Sequence, residues 1–288
     1  MTKPHNTKKT IGIVGLGLIG GSLGLSLQKL GYFTYGIANN SKNSKRAAER
    51  GLANIVSEDF QILNKCQIII LALPIKSLLE PDERLLKSLP KESIVTDVGS
   101  VKKIICEKWQ NYHPNFVGSH PMAGTNQSGV ESGINNLFLN KPWVCTPTQK
   151  TNTKALEQIK NIARDLQCKW ICTDASSHDK AVALISHLPI LVSAALLKTL
   201  SLKENSSINE LALMLASTGF LSTSRVGGGN PELGLSIIQN NTSSLIDCLD
   251  NYNYSLKNIK ELIRTKSWDV LLDELKEANK QYFEINKS

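Results

Sequence analysis

The sequence predicts an α/β domain built on a mostly parallel sheet, followed by an all-α domain. Three observations carry this prediction. Short apolar runs alternate with helical stretches from Thr10 to Cys172, the order of a parallel sheet covered on both faces. Beyond about residue 173 the strand signal stops, and only helical segments with broad apolar faces follow. Near the start, Ile11–Val14 runs into Gly15-Leu16-Gly17-Leu18-Ile19-Gly20 and then a helical pattern, which is strand, glycine turn and helix in sequence.

The first strand is Thr10–Val14. Gly15 permits the tight turn, Gly17 lets the main chain approach a pyrophosphate, and Gly20 lets the helix lie close on the strand. The helix N-terminus adds unpaired N–H groups and a partial positive charge. Glycine-rich turns also occur where nothing binds, but with a strand before and a helix after, the turn of a Rossmann-type dinucleotide-binding domain is expected, with Leu16, Leu18 and Ile19 also assigned to the cofactor. A helix over Gly20–Leu30 leads to a strand over Tyr32–Ile37. In NAD-specific folds an acidic residue about 20 positions beyond the glycines bonds the ribose hydroxyls. Here the second strand ends in Gly36-Ile37-Ala38-Asn39-Asn40-Ser41-Lys42, with no Asp or Glu between Tyr32 and Arg46. A carboxylate would repel a 2′-phosphate, whereas Asn39, Asn40, Ser41 and Lys42 can bind one. The competing reading is a plain polar loop whose lysines face water. NADP is the expected cofactor, with NAD as the alternative.

A helix over Ser44–Arg50 precedes a strand over Gln67–Leu73, at whose end Ala72, Leu73, Pro74 and Ile75 are assigned to the cofactor crevice. Next come a helix over Pro81–Ser88 and a strand over Ser93–Val98, with Asp97 also assigned to the cofactor. A helix over Val101–Trp109 follows, then strands over Phe116–Gly118 and Trp143–Thr146, a helix over Thr153–Asp165 and a strand over Lys169–Cys172. The helical part comprises Ser177–Leu202, Ile208–Ala216, Pro231–Tyr254 and Trp268–Phe283. The stretch Leu184–Leu200 is apolar nearly all round, so it must be buried, and a subunit interface is the easiest place. The expected domains are residues 1–172, binding the dinucleotide, and 173–288, helical and dimer-forming.

At 288 residues and 41% hydrophobic content the chain can bury the cores of two domains. A net charge of +8 suits anionic small molecules. The basic residues are scattered and not interleaved with aromatics, which argues against nucleic acid. No contiguous apolar stretch reaches the length of a membrane span. The polar start MTKPHNTKKT lacks a secretory segment, so a cytoplasmic protein is expected, with a disordered tail before Ile11. Six cysteines form no CxxC pair, which points to buried thiols in a reducing compartment. No cluster has metal-ligand spacing, so no metal is expected.

Three further segments carry residues of catalytic type. In Val95–Lys102, Ser100 follows a strand and precedes a helix, so its hydroxyl can face a nicotinamide or cap the helix. In Gly118–Thr125, His120 follows a hydrophobic strand and enters a loop shaped by Pro121 and Gly124. A lone histidine is more often structural, but the C-terminal end of a strand in a nucleotide-binding domain faces the ligand crevice. In Thr223–Gly234, Arg225 sits in a glycine-rich break, where its planar fork suits a carboxylate or helix C-terminal carbonyls. His187 lies in an apolar helix and reads first as a satisfied core histidine, second as a substrate contact.

The segments GLGLIGGSL, LALPI, VTDVGSVK, GSHPMAGT, ISHLP and TSRVGGGNPELG, in this order, resemble the prephenate/arogenate dehydrogenases of tyrosine biosynthesis. The resemblance runs from Ile11 to about Tyr282 and is nearest to the compact cyanobacterial-type arogenate dehydrogenases, which use NADP. It implies that His120 draws off the ring-hydroxyl proton as hydride leaves the same carbon. Ser100 then helps orient this histidine and the nicotinamide, and Arg225 holds the ring carboxylate that departs as carbon dioxide. Gly124, Thr125 and His187 complete the implied substrate contacts. Some family members carry an acidic residue shortly after the HPMAGT segment; here Asn126-Gln127-Ser128 stand there and Glu131 is next. An uncharged Asn126 neither demands nor excludes a substrate ammonium group, so arogenate is preferred over prephenate by analogy alone. The β-hydroxyacid dehydrogenases share this layout but need a lysine with an asparagine one turn later, and position 202 after Lys198 is Leu. A third reading is a redox sensor that binds NADP(H) without turnover, which would need no base in the cleft.

Overall fold

The structure is a computed structural model that describes residues 9–125, 127–200 and 206–285. The tail before residue 9, Asn126 and the predicted helix end at Leu202 lie outside the described residues. The chain packs into two compact units, residues 1–241 and 242–288. Packing thus divides the chain elsewhere than the change of pattern at residue 172 does. The helix that begins at Ala175 belongs to the first unit and is tied to the rest of it through the buried side chains of His178 and Asp179.

Six strands form one parallel sheet: β1 (Thr10–Val14), β2 (Phe33–Ile37), β3 (Ile55–Ser57), β4 (Ile68–Leu71), β5 (Ile94–Asp97) and β6 (Phe116–Val117). Their spatial order is β3-β2-β1-β4-β5-β6, with every neighbour parallel. The order reverses between β1 and β4, and ligands of such sheets bind outside the strand ends at that point. All four residues of β4 are buried, and they alternate between two cores: Ile68 and Ile70 join Ile11, Ile13 and Leu23, while Ile69 and Leu71 join Val14, Val95 and Trp109. A strand covered on both faces has no polar side to show, hence its unbroken apolar sequence. Each such side chain contributes about 1.5–3 kcal/mol on burial. Helices α1 (Leu18–Lys29), α2 (Ser41–Glu49), α3 (Ile75–Leu79), α4 (Glu83–Lys87) and α5 (Lys103–Tyr112) connect the strands.

The single sheet of the sequence reading is corrected to two. After β6 the chain passes through Gly118 alone and enters β7 (Ser119–Pro121), which pairs antiparallel with β8 (Pro142–Cys145); β8 pairs in parallel with β9 (Lys169–Cys172). A Cβ on Gly118 would collide with the Cys106 thiol, which is why glycine makes this crossing. Helix α6 (Thr153–Asp165) joins β8 to β9. Three of the elements missing from the sequence reading, β3, α3 and β7, are three to five residues long. Hydrophobic periodicity needs a longer window to register.

Helix α7 (Ala175–Val182), a π-helical turn (Ala183–His187) and α8 (Leu188–Thr199) run on as one 25-residue helix. By length and composition alone, it is long and apolar enough to cross a membrane. This corrects the expectation that no segment reaches that length: the structure joins segments that polar residues interrupt in the sequence. Among those residues, His178, Asp179 and His187 are buried and hydrogen-bonded to protein groups. Nor is the apolar stretch buried throughout, since Leu184 and Ile185 are exposed in the single chain. The chain continues through α9 (Ser206–Leu215), α10 (Thr218–Ser224), a 3₁₀ turn (Arg225–Gly228) and α11 (Pro231–Asn240). The predicted helix over Pro231–Tyr254 breaks at Asn241. Helices α12 (Thr242–Arg264) and α13 (Trp268–Ile285) make up the second unit.

All six cysteines are free. Cys66, Cys106 and Cys145 are buried as expected for structural thiols, but Cys172 is exposed. Burial pushes the Cys66 and Cys168 thiols up to about 12.

Candidate active site

The glycine turn follows β1 at the point where the strand order reverses. Gly15 adopts φ +95°, a conformation that disfavours any side chain, and a Cβ there would also run into the Ala72 carbonyl. Gly20 sits against the Gly15 carbonyl and the Ala72 methyl, so helix and strand approach as closely as backbone allows. At Gly17 a Cβ would meet nothing within 4 Å. The backbone is therefore bare towards open space at the N-terminus of α1, and no side chain caps that helix. Free N–H groups facing open space are what a pyrophosphate requires, and the turn fits one.

Asn39 and Asn40 follow β2 and are exposed. Asn40 caps α2 by accepting from the Asn43 N–H at 2.8 Å, and its own amide donates to Asn39 Oδ1 at 3.1 Å. Ser41 and Lys42 form the exposed first turn of α2. Among the described residues of this turn no carboxylate appears. Of the other residues assigned to the cofactor, Ala72, Leu73 and Pro74 are at least partly exposed beside Gly15, whereas the Ile75 side chain is buried in a core.

Asp97 is completely buried, and its carboxylate is already occupied. It accepts from Gly99 N at 2.8 Å and Ser119 N at 3.2 Å, and it forms an ion pair with the equally buried Lys102. Lys102 Nζ also donates to the Ser119 carbonyl at 2.8 Å. Asp97 therefore fixes the turn between β5 and α5 against the start of β7, and touches no ligand space. A buried pair of this kind is costly to break, because the survivor keeps an uncompensated charge.

His120 lies in the middle of β7, not in a loop, opposite Val144 of β8. It is 9% exposed. Its Nδ1 is 2.9 Å from His178 Nε2, and His178 Nδ1 is 2.8 Å from Asp179 Oδ1. No hydrogen bond engages His120 Nε2 among the described residues. Burial first, then the neighbouring His178, Lys102 and His187, holds the His120 imidazole well below its ordinary value. It is thus neutral and able to accept a proton at neutral pH.

Ser100 is half-buried and bonds neither to His120 nor to the N-terminus of α5. The α5 N–H groups go instead to Asp179, which accepts from Lys102 N at 2.7 Å and Lys103 N at 2.9 Å. His187, at the end of the π-helical turn, is 1% exposed. Its Nδ1 lies 3.2 Å from the Asn241 amide, while its buried Nε2 has no partner among the described residues. The core-histidine reading therefore holds for one ring nitrogen only, and the other is free for a ligand. Burial lowers this imidazole to about 4, with His178 adding and Asp179 opposing.

Arg225 is exposed where α10 passes into the 3₁₀ turn, and no hydrogen bond or ion pair holds it among the described residues. The loop behind it is fixed to α8: Ser193 Oγ donates to the Thr223 carbonyl at 2.8 Å and accepts from Gly227 N at 3.0 Å. The structure brings together His120, His178, Asp179, Lys102 and His187, and it gives Arg225 no contact with that group. Gly124 and Thr125 are exposed beyond β7. Glu131 is held by Arg46 and Arg50 of the α2 region, so its carboxylate is engaged away from the histidines.

His178, Asp179 and Asn241 are absent from the sequence-predicted site. The available signal was a His-Asp pair inside a helix whose other residues are largely apolar. In such a helix buried polar groups need partners.

The profile of the prephenate dehydrogenase nucleotide-binding domain matches residues 23–172, and that of the prephenate dehydrogenase dimerization domain matches residues 174–277. The crystal structure of Synechocystis arogenate dehydrogenase superposes with a TM-score of 0.84 at 38% identity, covering 96% of this chain and 99% of that one. Prephenate dehydrogenase from A. aeolicus, solved with hydroxyphenyl propionate and NAD+, superposes with a TM-score of 0.90 at 28% identity, covering 98% and 99%. The cyclohexadienyl dehydrogenase of Zymomonas mobilis is 30% identical over 278 residues, 94% of each chain.

Proposed function

This chain belongs to the prephenate dehydrogenase family and is a nicotinamide-dependent dehydrogenase, and on that premise we propose that it oxidatively decarboxylates arogenate to tyrosine with NADP+. The observation that carries the chemistry is His120: buried, held neutral, and with Nε2 unengaged.

The Gly15–Gly20 turn and the N-terminus of α1 hold the pyrophosphate. Asn39, Ser41 and Lys42 hold the 2′-phosphate, and Ala72, Leu73 and Pro74 line the crevice. When bound, the nicotinamide supplies the hydride acceptor. His120 Nε2 takes the proton of the substrate ring hydroxyl. Arg225 binds the ring carboxylate, since a dianionic or zwitterionic substrate needs a fixed cation for orientation. His187, whose Nδ1 faces the Asn241 amide, carries its proton on Nε2 and donates to a substrate oxygen. Loss of the ring carboxylate as carbon dioxide makes the ring aromatic and draws the reaction forward. Ser100 lies half-buried between β5 and α5, within the segment that the substrate and nicotinamide share.

Arogenate is favoured by the extent of the likeness to the Synechocystis arogenate dehydrogenase. Glu131 is removed as a partner for the substrate ammonium, because Arg46 and Arg50 hold it. A homodimer through the C-terminal helices is favoured by the matched dimerization domain and by exposed apolar side chains such as Ile185, Leu213, Met214 and Leu215.

The test is an assay of the purified protein with arogenate and prephenate against NADP+ and NAD+, followed at the absorbance of reduced nicotinamide. The highest kcat/KM is expected for arogenate with NADP+. A higher value for prephenate overturns the substrate assignment, and a higher value for NAD+ overturns the cofactor.

A further inference from the structure

We propose that His178 and Asp179 form a hydrogen-bonded chain that fixes His120 in its Nδ1–H tautomer and so leaves Nε2 as the proton acceptor. The inference rests on the reading of His120 as the base, and it adds two positioning residues to that reading.

The far end of the chain is Asp179. The Asp179 carboxylate accepts three N–H groups: Lys102 N at 2.7 Å, Lys103 N at 2.9 Å and His178 Nδ1 at 2.8 Å. The first two open α5, so the carboxylate also sits at the positive end of a helix dipole. Its backbone is held as well, by the Asn241 amide donating to the Asp179 carbonyl at 2.7 Å. An ionised carboxylate only accepts hydrogen bonds, so His178 Nδ1 must be the donor. In a neutral imidazole one nitrogen carries the proton, and His178 Nε2 is then an acceptor. That acceptor lies 2.9 Å from His120 Nδ1, which must therefore donate. The two rings meet edge-on, with planes at 68° and centroids 5.2 Å apart, a separation that fits an in-plane N–H pointing at an in-plane lone pair. The only nitrogen of His120 left with a lone pair is Nε2.

All three residues are buried, so water cannot supply an alternative partner for either shared nitrogen. The charged and titratable groups facing His120 are His178 on α7, Lys102 at the start of α5 and His187 on the π-helical turn. Lys102 is itself paired with Asp97 of β5. None of these besides His178 bonds to the His120 ring. In the step served, the substrate O–H bond breaks and an Nε2–H bond forms on His120, with no change in oxidation state of the protein. The imidazolium then formed donates from Nδ1 to His178, and beyond it lies the negative charge of Asp179. A histidine held in the opposite tautomer would present N–H to the substrate hydroxyl and could not accept its proton.

Two measurements test the chain. Enzyme labelled with 15N-histidine and studied without substrate near pH 8 should show His120 as the Nδ1–H tautomer; an Nε2–H tautomer overturns the proposal. This readout does not depend on turnover. A protein that oxidises neither arogenate nor prephenate yet shows the Nδ1–H form supports the chain while failing the proposed function. An active enzyme with the Nε2–H form does the reverse. In the second measurement, His178→Leu should lower kcat by about 100-fold or more, in the range of general-base contributions, with KM within a factor of about two. His178→Gln, whose amide oxygen can accept from His120 Nδ1, should recover most of that loss. Equal loss in both variants at unchanged Tm, or a kcat in His178→Leu within about threefold of the native value, overturns it.

Discussion

The Asn241 side-chain amide stands 3.2 Å from Nδ1 of His187, and this one contact decides which nitrogen of a buried ring bears the proton. Donation from the amide leaves the His187 proton on Nε2, where no group of the described residues accepts it. The ring is held neutral, at about 4 against an ordinary value of 6.5. The unfolded chain therefore binds protons that the folded one refuses once the pH falls below about 6.5. Burial lowers His113 and His120 in the same direction. Stability is complete above this window and falls as the pH drops from about 6.5 towards 4, His187 alone contributing up to about 3 kcal/mol of the loss. Thermal unfolding across that range should show Tm level near pH 8 and steadily lower below 6.5. A flat Tm from 7 to 4.5 contradicts it.

His120→Asn should abolish turnover and leave dinucleotide binding intact, because the glycine turn and α2 make no contact with the imidazole. Unchanged kcat would show that the ring is not the proton acceptor. Titration of nucleotide binding by fluorescence separates this outcome from misfolding.

Arg225→Ala should raise KM for the substrate by about tenfold or more, the worth of a charge-assisted hydrogen bond. The side chain is exposed and carries no internal bond among the described residues, so Tm should not move. A KM that stays constant would remove Arg225 from the site.

Asn39→Asp places a carboxylate where the second strand gives way to α2. It should shift the ratio of kcat/KM for NADP+ over NAD+ towards NAD+, through repulsion of the 2′-phosphate and new bonds to the ribose hydroxyls. Steady-state kinetics with both dinucleotides measures it, and an unmoved ratio means that the phosphate is held elsewhere.

Gly17→Ala and Gly20→Ala should part company. A Cβ at position 17 meets open space, so the fold tolerates it, but that space is where the pyrophosphate would lie. Dinucleotide Kd should rise with little change in Tm. At position 20 the new carbon overlaps the Gly15 carbonyl and presses on Ala72, and overpacking of this kind costs about 1–3 kcal/mol. Tm should fall there in the absence of any ligand. Equal losses of Tm in the two variants would sink the distinction.

What the sequence disclosed follows the range of the forces involved. The strand of Thr10–Val14, the turn at Gly15, Gly17 and Gly20 and the helix over Thr153–Asp165 are legible because local sterics and periodicity specify them. The capping role considered for Ser100 falls to Asp179, which acts on Lys102 and Lys103 from about 77 residues away, a distance over which no window of sequence reports. For the same reason His120 reads as a lone histidine: its partner His178 is 58 positions further on. Strand β7 is hidden because a three-residue strand containing histidine and proline has no pattern to show. The break at Asn241 passes unnoticed because apolar spacing continues across it from α11 into α12.

The crossing at Gly118 leaves the polypeptide no slack between its two pleated layers. A strand that ends at Val117 and another that begins at Ser119 share a single joint, and Ser119 is tied back to β5 by its N–H to the Asp97 carboxylate and its hydroxyl to the Asp97 carbonyl. Both layers must therefore travel as one body, and whatever opens the cleft to admit substrate or discharge product has to flex at some other seam of the molecule.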